Sequence, residues 1–118
     1  MLTKDRIIRL MELLNEALQK RGEIGEIGLV GGAVMCLVYN TRAATKDVDA
    51  IFEPAVTLRA IAAQIAASES LPPDWLNDAA KGFILPGFAQ QEVLSLSNLR
   101  VWAPEPRYML AMKCISAR

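Results

Sequence analysis

The chain has 118 residues, 53% of them apolar, with 13 Lys and Arg against 13 Asp and Glu. That length and apolar share favour one packed domain over disorder, and the balanced charge leaves no overall basic field of the kind that draws nucleic acid. There is no histidine, which excludes His-based acid/base catalysis, Ser-His-Asp triads and His-ligated metal sites within this sequence.

The first element is a helix. Thr3 is placed to cap it, although Arg6 stands where a full capping box would have Glu. Ile7, Leu10, Met11, Leu14, Ala17 and Leu18 recur at helical spacing, and Gly22 ends the run. "EIGLV" is a short strand closed by Gly31-Gly32, and "AVMCLVY" after it is a helix. "NTRAAT" is a polar loop and "KDVDAIF" a strand, stopped by Glu53-Pro54. Val56 to Ala67 is an Ala- and Ile-rich helix, broken at "SESLPPDW". "DWLNDAAKGF" reads as a short helical turn. "EVLSL" and "LRVWA" are strands of a hairpin about Ser97-Asn98, and Pro104 and Pro106 introduce a last helix. Interleaved helices and strands make a mixed α/β domain on a small sheet, and the hairpin argues against an all-parallel one.

The N-terminus carries charge along its length and lacks a signal-peptide core. No stretch approaches the roughly 20 apolar residues of a membrane span. Cys36 and Cys114 have apolar flanks and read as buried thiols rather than a bridge. The expectation is a soluble cytoplasmic protein with no membrane partner. The last helix reaches Arg118 without a Gly or Asn cap, as in a fragment of a longer product or a short frayed tail. The alanine-rich helix makes a homo-oligomer an expectation too.

Chemistry concentrates in "GGAVMCLVYNTRAATKDVDAIF". In a strand, residues two apart share a face, so Asp47 and Asp49 project together while Val48 and Ala50 point the other way. Neighbouring carboxylates repel unless a cation lies between them. Mg²⁺ accepts such oxygen ligands and keeps waters for substrate phosphates. An isolated Asp-x-Asp reads first as a solvated strand end, with Lys46 and Arg42 as counter-ions. Gly31-Gly32 lets backbone approach a phosphate, and the following helix start offers free N–H groups. Alone, it reads first as a tight strand-to-helix turn with no ligand. The glycine spacing is not a dinucleotide fingerprint, and no Gly-Lys-Ser/Thr makes a P-loop.

Taken together, the strand, the Gly-Gly turn, the helix and the strand with Asp-Val-Asp resemble the minimal nucleotidyltransferase superfamily. The Arg-x-x-Thr-x-Asp-Val-Asp form is most similar to bacterial AbiEii-type and related nucleotidyltransferase-like proteins, some of which act as toxins beside an antitoxin. The ending "PEPRYMLAMKCISAR" is similar to a Pro-Glu helix with a lysine that such proteins carry after the sheet. The resemblance covers roughly residues 26 to 53 and 99 to 118. It implies a nucleotidyltransferase-like fold and Mg²⁺-dependent transfer of a nucleoside monophosphate from a nucleoside triphosphate to an acceptor, RNA or protein. It implies Asp47 and Asp49 as catalytic metal ligands, with Gly31 and Gly32 at the nucleotide phosphates. Lys113 and Arg42 would reach a phosphate, Thr45 would order the loop, and Arg118 matches the arginine of the ending. The superfamily usually adds a third carboxylate, for which Glu92 is the nearest candidate. Glu105 is better explained as a charge favoured by a helix N-terminus. The alternative is a non-catalytic module of the same fold that binds nucleotide or a partner.

Overall fold

The computed structural model describes residues 1–39, 43–78 and 90–104. In chain order these form β1 (Leu2–Thr3), α1 (Lys4–Arg21), β2 (Gly25–Val30), α2 (Gly32–Leu37), β3 (Ala44–Thr45), β4 (Val48–Glu53), α3 (Ala55–Glu69), β5 (Leu76–Asn77), β6 (Gln90–Ser95) and β7 (Leu99–Pro104). The class is mixed α and β, as the interleaved sequence pattern requires.

Helix α1 follows from its stripe. Ile7, Leu10, Met11, Leu14 and Leu18 are all buried, one apolar face at spacings of three and four. Thr3 caps it, its hydroxyl oxygen accepting from the Arg6 N–H at 3.3 Å. Gly22 ends it in the left-handed region at φ 69°, its N–H donating to the Gln19 carbonyl at 3.1 Å. Asp5 near the start and Lys20 and Arg21 near the end suit the helix dipole. Helix α3 buries Leu58, Ile61, Ala62, Ile65 and Ala66. The residues that made it look ready for another subunit are therefore used largely inside the fold, and the outward side keeps Val56, Ala60, Ala63 and Ala67. At the far end Arg6 donates to the Glu69 carbonyl at 3.1 Å and pairs with its carboxylate at 3.5 Å, tying the start of α1 to the end of α3.

Five strands form the main sheet in the order β5-β4-β2-β7-β6, and β1 and β3 form a separate two-stranded ribbon. Strand β2 is central. It runs antiparallel to β4 and parallel to β7; β5 adds parallel to β4, and β6 antiparallel to β7. The sheet is thus mixed, and the expected hairpin is present, with a register shift between Glu92 and Leu94. One face is the core. Ile27, Leu29, Val48, Ala50, Phe52, Leu99, Val101 and Ala103 are buried there in one cluster with the apolar sides of all three helices. The opposite face carries Glu26, Gly28, Asp49, Ile51, Arg100 and Trp102, all exposed or half-buried, together with Val30, which is buried. Alternation at a period of two fixes both faces.

Two expectations need correction. Asp74–Asp78 is not helical: Trp75 turns into the core, and Leu76–Asn77 pairs with β4 as a strand. The polar loop before the acids holds a strand pair, because Ala44–Thr45 bridges Leu2–Thr3. The expected last helix, with Lys113, Cys114 and Arg118, lies outside the described residues, as does Arg42. Cys36 is a buried free thiol.

The hairpin turn is stitched to the rest by asparagines. Asn15 on α1 accepts from the Asn98 N–H at 2.6 Å, Asn98 donates its side-chain amide to the Glu23 carbonyl at 2.9 Å, and its own carbonyl accepts from Gly25 at 2.8 Å. Replacing Asn15 by Ala leaves the half-buried Asn98 N–H without its acceptor. The expected loss is about 1–3 kcal/mol in urea denaturation, with no change in fold by circular dichroism.

Candidate functional site

The acids and the glycine turn come together because β2 and β4 are adjacent and antiparallel. Val30, the last residue of β2, pairs with Asp49 near the start of β4. The chain then turns at Gly31, with φ 65° and ψ −140°, a backbone conformation that only glycine adopts freely. A Cβ added at Gly31 would stand 3.7 Å from the Asp49 carboxylate oxygen Oδ2. The glycine elbow and the acid therefore border the same space. Gly32 begins α2, whose first turn is bonded through the Gly31 carbonyl to the N–H groups of Val34 and Met35. Helix α2 has only six residues, so the elbow's contribution is room for a close approach more than a strong helix dipole.

Asp47 lies just before β4 and Asp49 within it. Both are half-buried, while Val48 between them is fully buried on the core face. The segment is held at three points. The Thr45 hydroxyl, itself buried, donates to the Asp47 carbonyl at 3.2 Å. The Val48 N–H donates to the Trp75 carbonyl at 2.6 Å, and the buried Trp75 indole N–H donates to the Ala62 carbonyl of α3 at 2.9 Å. The β1–β3 ribbon anchors residues 44 and 45, with the Cys36 thiol 3.6 Å from the Ala43 carbonyl and 3.9 Å from that of Leu2. Thr45 so orders the loop, the task expected of it there. No described contact bears on its binding a nucleotide.

Electrostatics follow from the crowding. The Asp47 carboxyl is raised above its ordinary range, first by burial, then by the negative charges of Asp49 and Asp74, with Lys46 opposing. Asp74 was not singled out in the sequence. It lies on the turn before β5, and β5 brings Asn77 level with Asp49. The signal for this arrangement was the Trp after Pro72-Pro73, a large apolar residue that a solvated helical turn would not bury.

The carboxylate pair supplies hard oxygen donors of the kind Mg²⁺ takes when it is held by one or two carboxylates and completes its shell with water and phosphate. It does not make a cage of protein ligands: among the described residues no group of three or more His, Cys, Asp or Glu is placed to share a metal ion. Glu92 accounts for part of this. It pairs with Trp102 on β6, three strands from β4. Three strand spacings are about 14 Å, beyond what two carboxylates around one ion span. The structure does not bring Glu92 to Asp47 and Asp49. Glu105 lies outside the described residues.

Comparison with known proteins found no matching family model, no matching curated protein and no matching solved structure. Among the described residues no helix is long and apolar enough to cross a membrane.

A carboxyl raised in the folded state holds its proton more tightly there than in the unfolded chain. Between its ordinary value and the raised one the folded state binds more protons, so stability falls as pH rises through that window. At neutral pH the charged Asp47 is thus a net cost when no cation is bound. Asp47→Asn is expected to raise the metal-free melting temperature at pH 7. The gain should shrink as pH falls below the ordinary carboxylate range, where wild-type Asp47 is protonated as well. A variant less stable than wild type at pH 7 without metal would contradict the repulsion argument.

Proposed function

We propose that this protein is a Mg²⁺-dependent nucleotidyltransferase, with a nucleotidyltransferase-like fold, that moves a nucleoside monophosphate from a nucleoside triphosphate to an acceptor hydroxyl. The observation that carries the reading is the approach of Asp49 Oδ2 to the Gly31 position, 3.7 Å from where a Cβ would be. The glycine elbow and Asp49 border one space, and Asp47 is close enough to Asp49 for their charges to repel; a divalent ion and a phosphate would complement each other there.

In this reading Asp47 and Asp49 hold the ion from one side. Gly31, with no side chain, lets the phosphates settle against backbone. When bound, Mg²⁺ would supply charge neutralisation for the phosphates and the departing pyrophosphate. The acceptor hydroxyl oxygen would form a bond to the α-phosphorus as the bond to pyrophosphate breaks, its proton passing to solvent. The residues contribute positioning and electrostatics, which dominate catalysis of phosphoryl chemistry. Thr45 and Trp75 contribute by keeping the acid segment in register. Lys113 and Arg42 remain candidates for the phosphates by resemblance alone, and so do the acceptor classes, RNA or protein, and an antitoxin partner.

A second reading is supported by a specific observation. Among the described residues no group of three or more acids is placed to share a metal ion, so the same site would serve a non-catalytic module that binds a Mg²⁺-nucleotide. Both readings need nucleotide binding, and only the first needs turnover.

Thermal melting with Mg²⁺ and each of the four nucleoside triphosphates tests them. The expected outcome is a rise in melting temperature with Mg²⁺ and nucleotide together, lost in Asp49→Ala. Pyrophosphate release with a mixed RNA and protein acceptor pool then separates enzyme from binding module. No stabilisation by any of the four would overturn both.

A further inference from the structure

Three of the glycines Gly22, Gly25, Gly28 and Gly31 have a reason inside the fold. Gly22 and Gly31 have positive φ. A Cβ at Gly25 would stand 2.9 Å from Leu18 Cδ1, in the packed space between α1 and the sheet. Gly28 shows no such reason among the described residues. Its φ is not positive, and of the described atoms a Cβ there would meet nothing nearer than the Ile51 carbonyl oxygen at an ordinary 3.7 Å. Glycine in the interior of a central strand weakens it, and it often marks a place where a ligand or another backbone comes close.

The register shows what surrounds that place. Gly28 pairs with Ile51 on one side and Trp102 on the other. Both are half-buried and share with Gly28 the face away from the helices. Two strand spacings put their Cα atoms about 9.6 Å apart. Bare backbone at Gly28 thus lies in register between an aliphatic residue and a tryptophan, with no described side chain filling its Cβ position. Stacked aromatic rings have centroids about 4.5–7 Å apart, which a slot of that width admits. One pleat repeat along the strands, about 7 Å, stands the row of Val30 and Asp49, beside the glycine elbow.

We propose that the slot over Gly28 takes a nucleobase, stacked on Trp102 and backed by Ile51, while the phosphates of the same nucleotide lie at Gly31, Asp47 and Asp49. The proposal rests on the nucleotide reading above and names the part of the substrate that the open face grips. Stacking uses the face of a base and not its edge, so the slot holds a base without choosing among the four.

Inorganic tripolyphosphate separates the two claims, because it carries the phosphates without the base. Binding of Mg²⁺-ATP and of Mg²⁺-tripolyphosphate is measured by calorimetry on wild type, Trp102→Ala and Gly28→Val, with circular dichroism and melting to check that each variant folds. The expected result is that wild type binds ATP about tenfold or more tightly than tripolyphosphate, the worth of one stacked base. Either variant should erase that advantage and leave tripolyphosphate binding unchanged. Trp102→Phe should restore part of it. If tripolyphosphate binds and ATP binds no tighter, or if the advantage survives in the folded variants, the slot is overturned and the phosphate site stands. If neither ligand binds wild type, the nucleotide reading fails and the slot with it.

Discussion

The pairing of β2 with β4 is the constraint on which the rest depends. Val30 opposite Asp49 is one rung of an antiparallel ladder that also sets Ile27 opposite Phe52 and Leu29 opposite Ala50. Those last two pairs are core contacts, all four residues buried. A slip of one residue would turn Asp49 into the helices and Ala50 out to solvent. The burial of the apolar residues therefore fixes where the acids stand. The site inherits its geometry from the hydrophobic face beneath it.

The acid segment illustrates how a sheet edge near solvent is kept in place without a long strand of its own. Strand β5 contributes only two residues, too few to hold register by ladder bonds alone. Trp75 supplies the difference. Its side chain is locked in the core and bonded to α3, and its carbonyl holds the first amide of β4. Helix α3 and the carboxylate pair are so connected through one side chain. On the other flank the start of α1 is connected to the same segment through β1 and β3.

Much of the fold was legible in the sequence, for physical reasons that differ between elements. Helix α1 declared itself through a regular apolar stripe, a Thr cap and a Gly stop. Strand β4 alternated cleanly, so the side occupied by Asp49 could be read. Gly31 next to a strand end pointed to a turn, and the positive φ agrees. What escaped were contacts that depend on tertiary partners. A two-residue strand has no period to detect, so β1, β3 and β5 were invisible. Asp74 gained its meaning only when the Trp75 turn carried it near Asp47. Glu92 had the right residue type, but its distance from the pair depends on strand order, with β2 and β7 lying between β4 and β6. Linear sequence does not encode that order locally. Gly28 is set apart from Gly25 only by tertiary surroundings, since no described atom crowds its Cβ position.

The chain's two tryptophans sit in opposite surroundings. Trp75 is almost fully enclosed, and Trp102 is half-buried on the face of the sheet away from the helices. Intrinsic fluorescence therefore contains two separable reporters. The shielded indole emits toward the blue and follows the integrity of the clamp, whereas the outer one emits further to the red and is open to quenchers in solution. Single-tryptophan versions would let an observer follow unfolding of the interior and occupancy of the surface independently, with no added label.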